Sequence, residues 1–459
     1  MNIPTLIIHG WSDNSKSFIP IARFLEDNGH DIRNIYLGDY ISLHDEIKLE
    51  DLGTAMKQAL EAHWGASLPL KRHSFNVVIH STGALVVREF LRQHCVDENG
   101  RPDPSLTPIK NLLMLAPANF GSPIAKKGKS MLGRLFKGKM RNFAFESGKR
   151  ILDALELASP ISFELALRDM FDSAFPVLSK ENTAVTIMVG SNCYEDRLKR
   201  LLHENGSDGT VRVSTTNLNA TYLVLRIRGQ EAPVLERVSR NCQDFCFAVL
   251  DRNHGSVTKD LKSQQQEWRK IVLDSLSVEP STYETLRTYC EQVTRATFEA
   301  GRRAGRIETR HRFHEYTHVV FRVRDQHGEP IRDFYIEFYQ DKGDDKDLVM
   351  EQMHRDILEK VTVNSIDSSC RSFLFDTTDL QQALDDNPGL KVDMRIVAAN
   401  LSDDITFDKI PETDVNPGIR VFDANLKSFF LPNCPILVDV VLYRRPSDEV
   451  FRIKPAPSR

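Results

Sequence analysis

The sequence predicts an α/β chain: a mostly parallel sheet with helices on both faces, followed by an antiparallel β-rich domain. Three observations carry this. Short apolar runs at residues 1–10, 31–37, 75–80, 110–116, 184–190, 222–228 and 245–250 alternate with helical stretches such as 21–28 and 54–63. Strands buried on both faces read as near-continuous apolar runs, and helices between them make the sheet parallel. From Tyr316 the period changes to two, with Val319, Phe321 and Val323 alternating with Arg322 and Arg324. Finally, 459 residues exceed one ordinary domain. The expected division is residues 1–280, a helical linker at 281–310, and a sandwich-like domain at 311–459.

The first strand runs into His9-Gly10-Trp11. A glycine there lets backbone approach a neighbour closely, and it places the Trp11 N–H at the strand's end. The strand at 75–80 runs into Ser81, then Thr82, Gly83 and Ala84, where a helical pattern begins. A sharp strand-to-helix turn of this kind lifts a serine Oγ out of a sheet, and the helix N-terminus beyond it offers free N–H groups and partial positive charge. The pattern G-x-S-x-G is matched at Gly83, whereas Ile79 stands in place of the first glycine. The strand at 110–116 ends in Ala116-Pro117-Ala118-Asn119-Phe120-Gly121-Ser122-Pro123.

Two further loops complete a set. After the strand at 184–190 comes Asn205-Gly206-Ser207-Asp208-Gly209, in which glycines flank an acid and let the loop bend tightly. A solvated turn uses the same residues. The strand at 245–250 ends in Asp251-Arg252-Asn253-His254-Gly255-Ser256, with a final helix expected from Ser256 to residue 276. The order Ser81, Asp208, His254 is the triad order of one hydrolase fold. A serine is a poor nucleophile until a base takes its proton; His254 would take it, and Asp208 would hold the imidazole. Asp251, Asp196 and Asp244 are competing acids ranked below Asp208. Trp11 and Thr82 would supply the two oxyanion N–H donors.

These segments resemble a lipase-type α/β-hydrolase over residues 1 to about 275. His9-Gly10-Trp11-Ser12, the elbow from His80 to Phe90 and Asn253-His254-Gly255-Ser256 are similar to the bacterial cell-associated PlaB-like phospholipase A/lysophospholipase family. The resemblance implies an acyl-ester hydrolase of glycerophospholipids, a catalytic domain joined to a C-terminal β-rich domain, and a homo-oligomer such as a tetramer.

Between Ile124 and Asn142 lie Lys126, Lys127, Lys129, Arg134, Lys137, Lys139 and Arg141 with no acid, and Met131, Leu132, Leu135, Phe136 and Met140 share one side if the segment is helical. Such an insertion, at 124–145, reads as a membrane-surface lid. Gly128, Gly133 and Gly138 weaken a helix there by about 1 kcal/mol each, so a solvated loop is the plain alternative.

The net charge of −4 offers no electrostatic footprint for nucleic acid. Residues 311–459 carry 19 basic against 27 acidic residues, net −8, which leaves +4 for the rest. Seven cysteines without paired spacing argue against a disulfide scaffold and a zinc site. His311, His314, His318 and His327 would scatter over the faces of a strand and turn, so no metal and no cofactor is expected. The N-terminal run lacks a basic n-region and reads as the first strand, and no stretch of 18 apolar residues occurs. The expected location is cytoplasmic or peripheral to a phospholipid membrane surface. Three functions are compatible with these residues: a phospholipase A/lysophospholipase; a neutral-lipid lipase, esterase or thioesterase of the same fold; and a catalytically silent scaffold.

Overall fold

The computed structural model describes residues 3–11, 13–31, 35–65, 72–101, 103–128, 139–141, 144–146, 148–171, 177–194, 204–229, 234–240, 245–304, 313–340, 353–386, 392–409, 419–422 and 430–454. The chain divides into two compact units. The first comprises residues 1–220, 241–318 and 432–435; the second comprises 221–240, 319–431 and 436–459.

The first unit is built on six parallel strands: β1 (Thr5–Ile8), β2 (Ile35–Gly38), β3 (Phe75–His80), β4 (Ile109–Leu115), and two later strands, Ala184–Gly190 and Cys246–Leu250. Counting through the chain, those last two are β7 and β10. The order across the sheet is β10-β7-β4-β3-β1-β2, and every pairing in it is parallel. All six residues of β3 and all seven of β7 are buried, as expected of a sheet covered on both faces. The chain runs from β1 outward to β2, then returns past β1 to β3. The switch point of the sheet therefore falls between β1 and β3, where open α/β sheets bind ligands at the carboxyl ends of the strands. His9-Gly10 and Ser81 lie at those two ends.

The helices that follow are α1 (Ile19–Asp27), α2 (Leu49–Trp64) and α3 (Gly83–His94), then α4 (Pro123–Gly128), α5 (Lys149–Leu155) and α6 (Pro160–Asp169). Nine consecutive residues of α3, Gly83 to Leu91, are buried, Arg88 and Glu89 among them. Arg88 is held bidentate by Asp169 at the end of α6, at 2.7 and 3.1 Å, and donates to the Asn119 carbonyl at 3.0 Å. This pair clamps the helix behind Ser81 to the loop after β4. Removing one partner of a buried ion pair leaves an uncompensated charge, which costs about 3–5 kcal/mol. Arg88→Met is expected to lower stability by about that much, and the double change with Asp169→Leu to recover most of it; denaturant melts of both proteins check this.

The C-terminal end of the unit departs from expectation at the start of its final helix. The final helix begins at Gln265, nine residues after Ser256, and runs to Ser277. The Arg252 guanidinium draws in the carbonyls of Ser256, Lys259, Leu261 and Ser263, so residues that would otherwise start the helix wrap around it. Residues 281–310, expected as a helical linker, hold the 22-residue helix Tyr283–Ala304, with the bounds that the spacing of its apolar residues predicts. It buries Tyr283, Leu286, Cys290, Val293 and Phe298. Its Tyr283 Oη and Thr294 Oγ1 accept the N–H groups of Cys246 and Val249 on the edge strand β10, so it closes a sheet edge rather than spacing two domains.

Residues 221–240 were assigned to the first unit; the structure gives them to the second. Strand β8 (Thr221–Ile227) pairs antiparallel with β9 (Val234–Arg240) and parallel with β18 (Pro435–Leu442). The second unit thus carries a mixed six-stranded sheet, and a separate three-stranded antiparallel sheet formed by Phe334–Gln340, Val392–Ala398 and Ile419–Phe422. One apolar cluster, including Leu225, Phe321, Phe375 and Val440 from the first sheet and Phe338 and Ile396 from the second, fills its core. Among the described residues, no helix is long and apolar enough to cross a membrane.

Candidate active site

Ser81 sits at the tip of β3 with φ of +55°. Left-handed backbone is costly for a residue with a Cβ, and such strain persists where the surrounding fold over-determines it. Here the Ser81 N–H donates to Leu115 O at 3.1 Å, and its carbonyl accepts from Ala84 at 3.2 Å and Ala118 at 3.2 Å. Two glycines make the turn fit. A Cβ on Gly83 would lie 3.0 Å from the His9 carbonyl, and one on Gly10 would lie 2.9 Å from the Ser81 Cβ. Ile79, in place of the usual first glycine, is wholly buried and leaves the turn intact, because the crowded contacts fall at Gly83 and Gly10.

Asp208 and His254 come together from loops 46 residues apart: His254 Nδ1 lies 2.9 Å from Asp208 Oδ2. The other carboxylate oxygen accepts the N–H groups of Thr210 and Val211, each at 2.9 Å. The His254 N–H donates to the Asp208 carbonyl at 3.0 Å. Asp208 is fully buried and His254 is 6% exposed. The acid loop is anchored by Arg212, whose guanidinium is buried against Glu204 at 2.8 Å. The competing Asp251 is exposed and accepts from Asn192 Nδ2 at 2.8 Å, whereas His254 Nδ1 is taken by Asp208. Asp196 and Asp244 lie outside the described residues.

Ser81, Thr82, His254, Trp11 and Gly10 line one cavity of about 250 Å³. Ala118, Ile124, Ala125, Leu152 and Leu155 give it an apolar side, while Asp13, Tyr194 and Thr210 are polar. Thr82 begins the α3 turn, where backbone N–H groups have no intrahelical acceptor. The loop after β1 is braced through His9. The Tyr40 N–H donates to His9 Nε2 at 3.2 Å, so the ring proton sits on Nδ1 and donates to the Gly10 carbonyl at 2.7 Å. The Tyr40 ring stacks on His9 at 4.4 Å.

His80, the residue before the serine, was not singled out from sequence. Its ring lies 4.6 Å from that of His254, and its Nε2 donates to the His254 carbonyl at 3.0 Å. Burial, and secondly electrostatic repulsion from the adjacent His254 ring, push its pKa down from 6.5 to about 3. The unfolded chain therefore binds a proton that the folded chain refuses, and stability falls as pH drops from 6.5 toward about 3. His80→Leu should leave the His254 carbonyl unpaired and cost about 1–3 kcal/mol, with kcat reduced by up to about 10²-fold. His80→Gln, which keeps an N–H donor, should recover kcat and flatten the acid loss of stability between pH 6.5 and 3. Parallel melts and rate profiles across that range test both variants.

Only part of the lid-like insertion lies among the described residues. Its described backbone is α4 followed by a short antiparallel pair, Lys139–Arg141 with Ala144–Glu146. Lys126 is exposed, Lys127 and Lys139 are described in backbone only, and Leu132, Leu135, Phe136 and Lys137 lie outside the described residues. Arg88, Arg212 and Arg252 were also missed. For Arg88 a signal was present: it and Glu89 are the two charges within an otherwise apolar helical run, and a charge buried there demands a partner.

No family model matches this chain, and no curated protein does. Among solved structures, the chain is similar to the phospholipase PlaB from Legionella pneumophila, with TM-score 0.81 and 23% identity over 100% of this chain and 97% of that chain. The structure of that protein in complex with thio-NAD gives TM-score 0.80 and 22% identity over 99% and 97%. The mature lipase BlEst2 from Bacillus licheniformis matches 56% of this chain and 87% of its own, at 15% identity and a TM-score of only 0.35. The PlaB likeness spans both units and establishes a shared fold, an α/β-hydrolase fold with additional β-sheets.

Proposed function

We propose that this chain is a serine hydrolase of lipid carboxylic esters, a phospholipase A/lysophospholipase. One observation carries the reading. A buried Asp208–His254 pair, 2.9 Å apart, opens on the same cavity as a serine held at φ +55°. In this mechanism His254 Nε2 takes the Ser81 proton as Oγ attacks the ester carbonyl, and then gives it to the leaving alcohol. The Thr82 and Trp11 N–H groups face the developing oxyanion, a contribution of about 2.7–4 kcal/mol per donor in related chemistry. Water then cleaves the acyl-enzyme by the same route. The full-length fold shared with the PlaB phospholipase supports a phospholipid substrate.

A second reading is a short-chain esterase or thioesterase, and the cavity's size favours it: about 250 Å³ is below the ~300–1,000 Å³ of most small-molecule sites. Initial rates on defined phospholipid vesicles, triglyceride emulsion, acyl thioesters and p-nitrophenyl esters separate the readings. Phospholipid turnover no faster than that of simple esters would overturn the first.

The basic run from Lys126 to Arg141 supports contact with anionic membrane. Reversing Lys137, Lys139 and Arg141 to Glu is expected to weaken binding to anionic vesicles by about 1 kcal/mol per charge, with hydrolysis of soluble esters unchanged. Sedimentation with vesicles reads the binding, and equal losses in both assays would discard the membrane contact. Assembly into a homo-oligomer is part of the same proposal, read by light scattering.

A further inference from the structure

The first unit holds a second cavity, larger than the catalytic one, of about 580 Å³. It lies between the edge strand β2 and helix α2, with Leu6, Ile8, Leu52, Met56, Leu60 and Trp64 among its walls. Ala55 and Ala59, one turn apart on α2, line it and are exposed. Two methyl-sized side chains there leave open a gap that larger residues would fill. At its rim Leu37 and Ile41 are 38% and 58% exposed. The volume lies within the ~300–1,000 Å³ of small-molecule sites.

The chemistry of the walls selects the occupant. Most lining side chains are hydrophobic; the polar ones are Tyr36, Tyr40 and His63, and the carboxylates are those of Asp39 and Asp51, both exposed. A ligand with polar groups along its length would leave them unpaired; an alkyl chain leaves none. The two acids repel a free fatty-acid carboxylate and suit a headgroup ending in an ammonium. One wall also reaches the catalytic machinery. Tyr40 lines this cavity, its Oη is buried without a hydrogen-bond partner, and its ring and N–H both hold His9, which in turn fixes the Gly10 carbonyl.

We infer that this cavity is a second lipid site, taking one alkyl chain of a zwitterionic lipid outside the catalytic cavity, and that its occupant bears on the oxyanion loop through the Tyr40–His9 stack. The choice of a lipid rests on the lipolytic reading; the coupling through Tyr40 rests on geometry alone.

The test uses the full chain with Ser81→Ala and alkylphosphocholines bearing a terminal bromine, which contain no carboxylic ester. Kept below their micelle concentrations, they should quench Trp64 emission saturably, with affinity rising about fourfold per methylene until the cavity is full. Trp64→Phe should remove the quenching. Ala59→Phe should weaken binding by about tenfold or more, with the far-UV circular dichroism unchanged. Quenching that fails to saturate, survives Ala59→Phe, or vanishes as protein concentration rises and a second copy covers the cavity would overturn the inference. Quenching needs no turnover. Saturable binding without ester hydrolysis therefore sinks only the catalytic reading, and hydrolysis without quenching sinks only this one.

Discussion

Ser81→Ala is expected to lower kcat by about 10⁶-fold, the loss typical of removing a nucleophile from a triad that acts as a unit. The reason is local. Ser81 holds a left-handed backbone conformation and lines the cavity shared with His254. Without its Oγ no acyl-enzyme forms, and only binding and the oxyanion donors remain. The substitution deletes one atom from a residue whose backbone is held by Leu115, Ala84 and Ala118, so the melting curve should be unchanged. A fluorophosphonate should label the parent protein and leave the variant unlabelled. Turnover or labelling at the parent level in Ser81→Ala would remove this serine from the chemistry and revive a silent scaffold.

Asp208→Asn should cost about 10⁴-fold in kcat with little change in fold. One carboxylate oxygen already accepts two backbone N–H groups, from Thr210 and Val211. An asparagine keeps those bonds only by placing its oxygen there, which turns its NH₂ toward His254 Nδ1. That nitrogen must then carry a lone pair, so the ring proton moves to Nε2, the atom that has to accept the Ser81 proton. Loss therefore comes from the wrong tautomer, and it should be far larger than any loss of stability. Steady-state kinetics beside circular dichroism decide this. Normal turnover in the asparagine variant would reassign the acid; Asp251 comes next in rank, although Asn192 already occupies it.

Much of the first unit was legible because its signals are local. An apolar run of strand length followed by a small residue and a helical period marks a strand-to-helix turn wherever it occurs, and four of the six strands of the parallel sheet fall within two residues of their expected starts. The other two, β1 and β2, each begin four residues late. The strand at 221–227 was found too, yet its sheet was not. Its partner β18 is more than 200 residues away, and an apolar strand carries no mark of which sheet it will join. The helix after His254 failed for a related reason: residues 256–264 have helical composition, but Arg252 offers their carbonyls a competing donor.

The site divides the same way. Ser81, Asp208 and His254 were readable as types in an order, each at a loop with the right neighbours. His80, Arg88, Tyr40 and the cavity beside α2 were not, since each acts through partners brought by another part of the chain. What the residues alone determined is the set of elements and the chemistry available at their ends, because strand, turn and helix preferences are decided within a few bonds. What only the tertiary structure decided is which ends meet, how the buried charges pair and where space is left empty, because those outcomes depend on burial of distant surfaces against one another.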